Sequence, residues 1–184
     1  MIRKLIVPFF VLFLTSTFLH ADQTSDAKIV LSKYLEAQKV FDTTVMSDLM
    51  HPEALEQFKN VISDAFNGSK SDLAKSEILP LFKVGTVEDY RKLSSKEAYK
   101  RFFDFVASAQ PELRKLMNAS NFSIVNENLN NDIAYMTCLM TLNINGQTIN
   151  KNVVQKLKLN NGNWMLLLAE DAEASIAGIA FRYK

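Results

Sequence analysis

After Asn121 the spacing between apolar residues drops from three or four to two, and it stays near two as far as residue 169. A chain that changes period once, and late, groups its helices ahead of its strands, and that order points to an α+β architecture. The strand-forming part is cut into four runs by Asn130-Asn131, Asn145-Gly146 and Asn160-Asn161-Gly162. Asn and Gly tolerate the positive φ of two-residue hairpin turns, so runs 122–129, 133–144, 148–159 and 164–169 are predicted to form an antiparallel meander. In the second run Ala134, Met136, Cys138, Met140, Leu142 and Ile144 make one unbroken apolar face. Helices are expected to cover that face. On the opposite face Ile133, Tyr135 and Leu139 alternate with Thr137, Thr141 and Asn143.

Upstream, Ala27, Val30, Tyr34, Ala37 and Phe41 recur at helical spacing, and Leu31 and Leu35 widen the stripe. Residues 42–49 read as a turn carrying Val45, Met46 and Leu49. Pro52 suits the first position of a second helix, whose inner face is Leu55, Phe58, Ile62 and Phe66. Residues 69–94 read as short helical pieces and a loop. Ser94 and Glu97 have the spacing of a capping box ahead of a helix carrying Ala98, Phe102 and Phe105. Pro111 opens another short helix, and the small and apolar residues of 172–181 predict a C-terminal one.

The first residues read as an address. Arg3 and Lys4 precede an apolar stretch, and Leu19-His20-Ala21 offers a cleavage point, which is the layout of a secretory signal peptide. Pro8 interrupts the stretch, which is shorter than the roughly 20 residues of a membrane-spanning helix. Cleavage after Ala21 is expected, with export to the periplasm or the medium, no membrane span afterwards, and a single domain over 22–184; the alternative is an uncleaved N-terminal anchor. Of 184 residues, 163 then remain, with a net charge of −1 in place of +1. Near-neutrality with no basic block argues against nucleic acid. The single Cys leaves no intrachain disulfide, so a packed core must hold the domain together.

The entrance Leu49-Met50-His51-Pro52 to the second helix, the strand start Asp132-Ile133-Ala134-Tyr135, and Asn161-Gly162-Asn163-Trp164 ahead of the last strand resemble the NTF2-like, cystatin-like α+β cone superfamily. Within it, the resemblance is to the exported SnoaL-like branch. The resemblance runs over about residues 26–170 and implies helices packed on a curved four-stranded antiparallel sheet (residues about 121–169), with a conical pocket between them and a short C-terminal helix. That superfamily holds isomerases, dehydratases and cyclases beside members that only bind or assemble, and exported phospholipid carriers share the fold class. One departure is that the family's early hairpin, between the second and third helices, is not legible in residues 69–94.

Two functional readings follow. In the first, the domain is non-catalytic and its neutral interior is either filled by its own side chains, leaving a structural or protein-binding role, or takes a small apolar or lipid-like ligand, with Tyr34, Tyr99, Met136, Cys138 and Met140 as pocket candidates. In the second, an isomerase or hydro-lyase draws acid and base groups from His51 or a tyrosine, together with Glu127 or Asp132. His51 directly precedes Pro52, a helix boundary that accounts for it without chemistry. Met136, Cys138 and Met140 are a soft ligand set, but alternate strand residues lie about 6.6 Å apart and converge poorly on one ion. Core filling is preferred for them. The tyrosines are read as edge residues with wetted hydroxyls, and Lys151, Lys156 and Lys158 as one solvated face. No phosphate loop, zinc spacing or Ser-His-Asp order occurs, so neither cofactor nor metal is expected. A homodimer through Tyr135, Thr137 and Leu139 on the outer sheet face is the remaining partner expectation.

Overall fold

The computed structural model describes residues 15–144 and 146–184. Most of the expected signal segment, residues 1–14, lies outside the described residues. Among the described residues eight helices and one four-stranded antiparallel sheet form an α+β domain, and no helix is long and apolar enough to cross a membrane.

Helix α1 (Thr15–Val40) turns its buried residues Ala27, Leu31, Tyr34, Leu35 and Ala37 to the core. It stops at Phe41, whose φ of 55° breaks the helical path. The segment read as a turn is instead a short helix, α2 (Thr43–Leu49), because the Asp42 carboxylate accepts the Val45 N–H at 3.0 Å and caps it. Helix α3 (Pro52–Ala65) starts at its proline and buries Ala54, Leu55, Phe58 and Ile62. Residues 69–94 contain α4 (Ser71–Ile78), a 3-10 turn (Leu79–Phe82) and α5 (Val87–Lys92), with no hairpin. Helix α6 (Ser95–Ala109) begins as expected, with Ser94 Oγ accepting the Glu97 N–H at 3.1 Å. The Glu97 carboxylate is taken by Arg101 at 2.7 Å. Helix α7 (Pro111–Asn118) completes the group.

An aromatic cluster joins α3, the 3-10 turn, α5 and α6. The ring of Phe58 meets Tyr99 at 5.5 Å and Phe102 at 5.4 Å edge to face, and Phe82 meets Tyr90 at 4.8 Å. Such pairs contribute about 0.5–1.5 kcal/mol each beyond area burial. They let the four-residue 3-10 turn and the six-residue α5, each too short to be stable alone, hold their positions.

The strands are β1 (Asn121–Asn130), β2 (Ile133–Ile144), β3 (Gln147–Asn160) and β4 (Asn163–Leu166), paired in sequence order. β4 is shorter than expected because its pairing with β3 ends at Leu157 opposite Leu166. Its outer edge is taken up by helix-flanking chain: the His51 N–H donates to the Leu166 carbonyl at 2.7 Å. The register sets Cys138 opposite Val153 and Met136 opposite Gln155, so the inner face of β3 is Ile149, Lys151, Val153, Gln155 and Leu157. Lys151 therefore does not share a face with Lys156 and Lys158. The latter two are on the outer face and pair with Glu173 and Glu53. Helix α8 (Glu170–Arg182) closes the domain against α3.

Candidate functional site

Along the inner face the packing changes from closed to open. At one end Ala134, Met136, Leu157 and Leu166 have at most 1% exposure and form solid core. Further along, from Cys138 to Lys151, sheet and helices separate and leave a cavity of about 630 Å³. Its floor is Phe122 of β1, Cys138 and Met140 of β2, and Val153 and Gln155 of β3. α1 supplies Tyr34 and Leu35, α6 supplies Tyr99, Phe102 and Phe103, and α8 supplies Ala172, Ile176 and Ile179. Of the five pocket candidates, Tyr34, Tyr99, Cys138 and Met140 lie on this wall. Met136 does not, since it sits one step deeper, where the layers have already closed.

The polar groups on the wall are few. The Tyr34 and Tyr99 hydroxyls lie 3.1 Å apart and hydrogen-bond to each other. Burial raises the pKa of the Tyr34 phenol, the Tyr99 bond pulling partly the other way, and burial raises Tyr99 well above the ordinary phenol value. Both therefore stay neutral donors. The edge reading holds for Tyr135, 38% exposed on the outer face, and fails for this inward pair. Burial likewise pushes the Cys138 thiol up to about 11, so little of it is thiolate near neutrality. At the exposed rim the Lys151 ammonium and the Asp171 carboxylate meet at 3.1 Å, joining β3 to α8.

The acid and base candidates lie elsewhere. His51 caps α3, its Nδ1 accepting the Glu53 N–H at 3.2 Å. Burial lowers the His51 pKa, with Glu53 opposing and Lys158 assisting. Glu127 stands at an inner-face register position of the edge strand, opposite Met136, but its carboxylate is drawn out to Lys28 of α1 at 2.6 Å. Asp132 is exposed in the β1–β2 turn. The three are not brought together, and none lines the cavity. Among the described residues no group of three His, Cys, Asp or Glu side chains could hold a metal ion.

Sequence reasoning missed Gln155, Lys151 and Asp171. The first two carried a signal: with Ile144 opposite Gln147, counting back along both strands puts Lys151 and Gln155 on the face of Met140 and Met136. Asp171 carried none, because nothing local says where α8 docks. No family model matches the chain, and no curated protein or solved structure does so either.

Proposed function

We propose that the chain is an exported, non-catalytic domain of the NTF2-like kind that holds a small, mainly apolar molecule between its sheet and its helices. The observation that carries this reading is the cavity. Its volume of about 630 Å³ falls within the roughly 300–1,000 Å³ of small-molecule sites, and its wall is hydrocarbon and aromatic with a few inward polar groups. A space of this size lined by apolar side chains forfeits contacts that an apolar guest restores. Support against the isomerase or hydro-lyase alternative comes from the positions of His51, Glu127 and Asp132. General acid–base work requires such groups within hydrogen-bond reach of the substrate. The order of helices before sheet supports the NTF2-like resemblance, while the helical 69–94 segment sets this chain apart from the family's early hairpin.

The test uses the neutral apolar dye N-phenyl-1-naphthylamine as probe. Its fluorescence should rise on mixing with the folded protein. Ala172→Phe, which places a ring in the cavity from α8, should weaken dye binding by about tenfold or more with the circular dichroism spectrum unchanged. Dye binding that ignores Ala172→Phe, together with no co-purifying small molecule by native mass spectrometry, would overturn the reading.

A further inference from the structure

Two hydroxyls 3.1 Å apart carry two protons, and only one can lie between the oxygens. The other O–H finds no protein acceptor among the described residues, so it is left for the space the two rings line. A second group is in a similar position. Gln155 is only 8% exposed, and no protein group among the described residues bonds its amide. No fully enclosed side-chain N or O among the described residues lacks a partner, so that amide keeps contact with open volume, and the volume Gln155 lines is this cavity.

Charge narrows the guest further. The one cation on the wall, Lys151, stands at the exposed rim and is already bound to Asp171. A carboxylate carried inward would lose its hydration with no counter-ion to replace it. A pure hydrocarbon would leave the spare phenolic proton and the Gln155 amide unbonded, and a buried polar group without a partner is costly.

From this geometry we infer that the preferred guest is an apolar molecule bearing a neutral carbonyl acceptor, an ester or ketone of a long chain, held by the Tyr34–Tyr99 pair and the Gln155 amide. The inference rests on the ligand-binding reading above and specifies its chemistry.

Calorimetric titration with methyl decanoate, decane and decanoate tests it. The ester should bind about tenfold or more tightly than either comparison at neutral pH. In a Tyr34→Phe, Tyr99→Phe double variant the ester should lose most of that advantage while decane affinity holds. Gln155→Leu should act in the same direction. Circular dichroism checks that the variants fold, and the three-probe comparison on the unaltered protein decides the matter even if they do not. Equal affinity for ester and decane would overturn the inference and leave the cavity reading standing. Tightest binding by decanoate, lost in Lys151→Met, would overturn it in favour of an anion held at the rim. Failure of all three probes would overturn the cavity reading as well.

Discussion

At the N-terminus of α3 the His51 imidazole takes the part usually given to Ser, Thr, Asp or Asn. Its Nδ1 must be unprotonated to accept the Glu53 N–H, and burial favours that state by holding the pKa below the ordinary value of about 6.5. The unfolded chain therefore binds more protons in the window just below 6.5. The stability from this cap is fully present above about 6.5 and is lost as pH falls through that value and then through the folded one. His51→Ala should cost about 1 kcal/mol at neutral pH in urea unfolding. His51→Asn should keep a cap and flatten the acid-side loss that sets in below about pH 6.5; an identical pH profile in that variant would assign the loss elsewhere. The position of His51 before Pro52 is legible in the chain, but its capping role needs the ring's orientation. The Tyr34–Tyr99 bond was beyond reach for a different reason. The partners are 65 residues apart, and periodicity says which face a tyrosine takes, not whom its hydroxyl meets.

Elements whose limits are set by neighbours in sequence were readable, and those set by distant contacts were not. The β3–β4 turn is local: Asn161 and Gly162 have φ of 52° and 81°, and Asn160 pairs with Asn163, the arrangement a two-residue primed turn needs. α2 was missed because its cap, Asp42, follows a helix end and reads as loop. The docking of α8 is non-local. Its last turn lies on the α3–α4 connection: the Lys70 N–H donates to the Tyr183 carbonyl at 3.1 Å, and the Tyr183 hydroxyl donates to Glu77 at 2.6 Å. Gly68 permits this approach, since a Cβ there would stand 2.2 Å from the Tyr183 carbonyl oxygen. Gly68→Ala should therefore push the end of α8 away, at a cost of about 1–3 kcal/mol in urea unfolding. Because α8 forms one wall of the cavity, the same variant should weaken dye binding. A stability and a dye affinity both equal to those of the parent would show that α8 does not need this seat.

For the molecule as a whole, the interior and the proposed secretory address meet in α1. The expected cut between Ala21 and Asp22 falls inside this helix, which begins at Thr15 among the described residues. The buried α1 side chains that are described, Ala27, Leu31, Tyr34, Leu35 and Ala37, all lie beyond that cut. A cut at that point would leave in place the α1 residues that cover the sheet and line the cavity, and a helix of residues 22–40 would keep more than four turns for them. It follows that a protein beginning at Asp22 should fold unaided, with the same thermal midpoint before and after a reductant is added, since its only cysteine is free and buried. Shortening the chain further, to begin at Glu36, should abolish cooperative unfolding. That version lacks Leu31, Tyr34 and Leu35, and each large apolar truncation in a core costs about 2–5 kcal/mol against a total stability of about 5–15 kcal/mol. N-terminal sequencing of the protein recovered from its own host checks the proposed cut itself. A product beginning at Met1 and held in the membrane would refute processing, while an Asp22 form that fails to unfold cooperatively would mean that residues before the cut belong to the fold.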